Sequence, residues 1–152
     1  MPLMPSWAPN LHPLVIHFPI VLVMTAVVVD LVDVVFERSA WLRTATTTLY
    51  VAGAVSTVVA FLTGVRAGST VLVPGMAYPV LVAHRQWALA TMACCIVVAV
   101  LRLAMLRGDV ARRRPRRVLL LGIGLVTLVL IQQTAERGAR LVYEFGTGVI
   151  AR

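Results

Sequence analysis

Three histidines, His12, His17 and His84, are the only imidazoles in the 152-residue chain, and each lies at or just before the head of a long apolar run. Neutral imidazole ligates iron, copper and zinc, and an ionisable group inside an apolar run needs a partner or a role. His17 falls about one turn into the first run and His84 within a turn of the start of the third. Alternating helices make runs one and three parallel, so the spacing predicts two imidazoles at similar depth. That is the geometry for holding one haem iron from two sides. On a continuous helix His12 and His17 would point about 140° apart. Pro13 lets the preceding backbone leave the helix, however, and His12 then folds back toward His17. A zinc or copper site built from His12, His17 and His84, with Glu144 from the C-terminal segment, is therefore a competing expectation.

The runs supply surfaces for such a centre. His84, Ala88, Thr91, Cys95 and Ala99 follow one helical face, and Gly53, Thr57, Ala60 and Gly64 form a second small-residue stripe. Such stripes leave room for a macrocycle, and they equally let membrane helices approach closely. Pro19 should free the Val15 carbonyl, which can bend the first run near His17, although an ordinary first-turn proline is the favoured reading. Asp30 and Asp33 share a face toward the far end of that run, and Arg102 lies at the matching end of the third. An Asp30–Arg102 ion pair inside the bundle would neutralise both charges, and structural pairing is the expected role. Cys94 and Cys95 are adjacent within an apolar run and read as buried packing residues.

The elements that must position these groups follow from composition. Sixty per cent of the chain is hydrophobic and 13% is charged, with a mean hydropathy of +0.92. A soluble domain of this size cannot hide that much apolar surface, which excludes a soluble enzyme, a disordered chain and a fibre. Four apolar runs, about residues 14–35, 44–62, 87–106 and 118–135, predict an all-α, four-helix transmembrane bundle forming one domain over residues 1–152. The net charge of +8 comes from 14 arginines placed between runs rather than along a solvated face, so it reads as topology and not as nucleic-acid binding. Nine arginines, at positions 38, 43, 102, 107, 112, 113, 114, 116 and 117, fall on one side of the bundle. Five, at 66, 85, 137, 140 and 152, fall on the other. Both termini are therefore expected on the non-cytoplasmic side of a bacterial inner membrane, in a multi-pass protein. The stretch 65–83 is expected to lie along the outer interface, and the Gly-rich tail after Ala135 to fold as an outer cap.

The sequence Leu11-His12-Pro13-Leu14-Val15-Ile16-His17-Phe18-Pro19, the segment Gly138 to Val149, and a histidine at the head of the third run resemble the four-span bacterial membrane proteins of domain-of-unknown-function family 2231. The resemblance spans the chain and implies a fold and a membrane location without an activity. Helix number and histidine placement are similar to those of membrane cytochromes b, but three histidines allow at most one bis-histidine haem. One expectation is thus a b-type haem held by His17 and His84 near the outer face, exchanging electrons with a redox partner. The other, from a different class, is a cofactor-free accessory subunit that stabilises a larger bioenergetic membrane complex.

Overall fold

The computed structural model describes residues 10–36, 40–106 and 114–149. Arg38, Arg107, Arg112, Arg113 and Arg152 of the charge count lie outside the described residues. The described chain is helical without a strand: α1 His12–Val15, α2 His17–Phe36, α3 Ala40–Thr70, α4 Tyr78–Met105 and α5 Arg114–Tyr143. Four segments are long and apolar enough to cross a membrane, α1 and α2 together forming the first. The four long helices pack in a ring, each against its sequence neighbours and α2 against α5, while α1 lies on α3.

The breaks and ends have local causes. Pro19 cannot donate to the Val15 carbonyl, and α1 ends at Val15 with Ile16 as the joint to α2. The connection between the second and third spans is shorter than residues 65–83. Nothing from 65 to 70 breaks the helix, so α3 continues to Thr70, and Pro79, at a first-turn position where no amide partner is lost, lets α4 begin at Tyr78. Only Val71 to Pro74 and a 3-10 turn, Gly75–Ala77, separate them. After α5 the chain turns through Gly146 and Gly148, both at positive φ, 64° and 72°, and the Thr147 amide returns to the Leu141 carbonyl at 2.8 Å.

Burial runs opposite to that of a soluble bundle. Val21, Val28, Leu62, Leu119 and Val129 are exposed, whereas Thr46, Thr57, Thr91, Thr127, Asp30, Asp33, Arg102 and Arg117 are buried. Lipid accepts the apolar exterior, and the helices meet through small and hydrogen-bonded residues. Each buried threonine donates to the carbonyl four residues earlier, as Thr57 does to Gly53 at 2.7 Å and Thr91 to Trp87 at 2.8 Å. Gly53 brings α2 close, since a Cβ there would sit 2.8 Å from Val23 Cγ2.

Gly124 on α5 is a tighter case, because a Cβ there would overlap the hydroxyl of Tyr50, a side chain 1% exposed. Gly124→Ala is expected to destabilise the bundle by about 1–3 kcal/mol, read as a lower melting temperature in mild detergent. Adding Tyr50→Phe, which removes the overlapping oxygen, should recover most of that loss. An unchanged melting temperature for Gly124→Ala would show that α5 can slide away from Tyr50.

Candidate functional site

At the end of the bundle where the described chain begins and α5 finishes, two imidazoles face each other. His12 and His84 have ring centres 6.5 Å apart and planes inclined at 78°. Asn10 sets the first ring by accepting the His12 amide at 3.0 Å, and Pro13 occupies the first turn of α1. The His12 ring rests on α3, where a Cβ added to Gly64 would come within 2.9 Å of it. The His84 ring rests on α5, where a Cβ on Gly138 would come within 3.2 Å. The His12 ring thus occupies space that a side chain at position 64 would take, and the His84 ring packs closely on Gly138.

A hydrogen bond fixes the tautomer of His84. His84 Nδ1 is 3.0 Å from the Thr134 carbonyl, which can only accept, so Nδ1 carries the proton. His12 Nδ1 is 3.3 Å from Thr63 Oγ1. That hydroxyl also lies 2.9 and 3.0 Å from the carbonyls of Val59 and Ala60, to either of which it can donate. The His84 ring thus keeps a lone pair on Nε2. A ligating histidine usually shows this arrangement, with Nδ1 held by a second group and Nε2 free. Beside His84, the Arg137 guanidinium lies 4.7 Å from the Trp87 ring centre and bonds the Gln133 carbonyl at 2.7 Å.

The other predicted site residues lie elsewhere. His17 is exposed at the head of a stripe continuing through Val21, Met24, Val28, Leu31 and Val35, all exposed at four- and three-residue steps. The structure therefore sets His12, not His17, against His84, because the outward stripe of α2 carries His17 toward lipid. A signal for this exists in the sequence: Asp30 and Asp33 must face the interior, and thirteen residues separate His17 from Asp30, about 140° round the helix. Glu144 is exposed and paired with Arg140, Nε to Oε2 at 2.7 Å, which holds its carboxyl below the ordinary range. Among the described residues no three His, Cys, Asp or Glu side chains converge as a metal-binding group.

The opposite end holds the charges. Arg102 Nη2 donates to Asp30 Oδ2, and the Arg102 guanidinium stands 5.1 Å from the centre of the Tyr50 ring. Arg117, counted with the loop arginines in the sequence, belongs to α5 and is buried. Its Nη1 is 3.3 Å from the Asp33 carbonyl and 3.5 Å from Asp33 Oδ2. Neither this second pair nor Tyr50 is evident from the sequence, since Asp33 and Arg117 are 84 residues apart and meet only when α5 closes the ring. Cys95 is buried with its Sγ 3.6 Å from Thr57 Oγ1, and half-buried Cys94 is 3.1 Å from Thr127 Oγ1; both are free thiols.

Four apolar helices with a polar interior, ion-paired at one end and carrying a histidine pair at the other, define an integral membrane protein of the four-span helical class. The chain belongs to the family of predicted membrane proteins designated DUF2231, whose match covers residues 8–151. No curated protein and no solved structure matches the chain.

Proposed function

We propose that the protein holds a single b-type haem between His12 and His84 and exchanges electrons with a partner in the membrane. The observation that carries this reading is the pair of imidazoles with ring centres 6.5 Å apart, each with its Nδ1 within hydrogen-bond distance of a threonine oxygen. A metal–imidazole bond of about 2 Å, with about 1 Å more to the ring centre, puts two rings on opposite sides of one ion about 6 Å apart. Two protein ligands, with no third among the described residues, suit an iron whose remaining positions are filled by a macrocycle, whereas structural zinc takes four ligands.

Gly64 and Gly138 seat the rings, Thr63 and Thr134 orient them, and Arg137 offers a cation on the His84 side for the carboxylates of such a group. Bound there, the haem would supply one-electron chemistry, and the chain would set its potential through burial and the Nδ1 hydrogen bonds. The arginine asymmetry supports a bacterial inner membrane with the histidine end outward.

The test is the absorption spectrum of protein purified in mild detergent after haem-sufficient expression. A Soret band that shifts on dithionite reduction, with one iron per chain, is expected. A colourless preparation without iron would sink the haem reading and leave the accessory-subunit role. Copper or zinc bound in place of iron would make the same two histidines a bare-ion site.

A further inference from the structure

The interior of the bundle carries polar groups that the histidine pair does not use. At the far end lie the buried pairs Asp33–Arg117 and Asp30–Arg102. Asp30 and Asp33 are 0% and 1% exposed, yet their Oδ1 atoms, like the Tyr50 hydroxyl, make no hydrogen bond. Leaving a buried polar atom unmatched costs about 1–3 kcal/mol. Ionisable groups in a membrane span that face the interior mark paths for ions or protons.

Further along come the linked pairs Thr57 with Cys95, Cys94 with Thr127, and Thr91 with Thr134, the last at 2.9 Å. The Thr134 carbonyl then holds His84. On α4 alone, Arg102, Cys95, Thr91 and His84 follow seven-, four- and seven-residue steps on one face and span about 27 Å. That is close to the roughly 30 Å of a bilayer core.

We propose that this column conducts protons through the bundle between the Asp33–Arg117 end and the histidine end. A proton arriving at Asp30 Oδ1 passes to the Tyr50 oxygen as the phenol releases its own proton onward. The same exchange repeats at the Cys95 and Cys94 thiols and the Thr127, Thr91 and Thr134 hydroxyls, with water bridging the gaps of one to two helical turns. No electron moves, and every group returns to its starting protonation. The activity is independent of any metal at the histidines.

The test uses the full chain in phosphatidylcholine–phosphatidylglycerol vesicles loaded with a pH-sensitive dye. A potassium diffusion potential set by valinomycin drives the protons, and haem-containing and haem-free preparations are both measured. Flux above that of protein-free vesicles is expected in each. Tyr50→Phe keeps the ring beside Arg102 and removes only the relay oxygen, and should lower the flux at least about tenfold, a barrier change of about 1.4 kcal/mol. Thr134→Val, which spares the carbonyl on His84, should do the same and serves if Tyr50→Phe does not fold. Wild-type flux no greater than that of empty vesicles, or full flux in a folded variant of either kind, overturns the proposal. A colourless protein that conducts would refute the haem reading alone.

Discussion

His84→Ala and His12→Ala are each expected to abolish the Soret band, while His17→Ala leaves it in place. Each of the first two removes one of the two imidazoles whose ring centres lie 6.5 Å apart, and an iron left with one protein ligand would lose both its spectrum and most of its retention. His17 stands on the lipid-facing stripe of α2, so truncating it alters neither ring. A graded effect should accompany these losses. Thr63→Val takes away the oxygen 3.3 Å from His12 Nδ1, and changes to such supporting groups lower metal affinity by about 10–100-fold. Haem titration of the apoprotein, followed by absorbance, measures both effects. A band that survives His12→Ala but disappears in His17→Ala would restore the His17–His84 centre and refute the seat described above.

Breaking the inner ion pair should give the largest stability change. Asp30→Leu leaves the Arg102 guanidinium buried beside Tyr50 without its carboxylate, and Arg102→Met leaves the Asp30 carboxylate without its guanidinium. Each single change is expected to cost about 3–5 kcal/mol, because it strands a charge in a low-dielectric interior. The double variant should recover most of this, since a neutral apolar pair of similar bulk needs no compensation. Chemical denaturation in detergent micelles gives the four corners of the cycle, and the coupling energy is the quantity to read. Equal stability for a single variant and the double would show that Arg117 and Asp33, one helical turn away, absorb the stranded charge.

The charge pair and the histidine pair differ in how far they can be read from residue order. Asp30 and Arg102 sit at matching ends of parallel spans, and few partners exist for a charge in lipid, so complementarity nearly selects the pair. Imidazoles are not constrained in that way. A neutral ring tolerates the interface, so choosing between His12 and His17 needs the rotation of each about its helix axis. The two lie on either side of the joint at Ile16, where α1 ends and α2 begins. Tyr50 is harder still: nothing near it in sequence announces a buried phenol, and its place follows from Gly124 on α5 leaving room for its hydroxyl.

Apolar run length and the 3.6-residue period determined by themselves four membrane-spanning helices, an interior lined by Thr57, Ala60, Thr91 and Cys95, and an exterior of valine and leucine. These are local consequences of solvation, since lipid rewards one face and helix contact the other at every turn. Which helix meets which, and therefore that His12 rather than His17 faces His84 and that Arg117 closes on Asp33, was decided only by tertiary packing. Those contacts join residues 72 and 84 positions apart, and their geometry depends on helix rotation and close approach at Gly53, Gly64, Gly124 and Gly138, which no local pattern encodes.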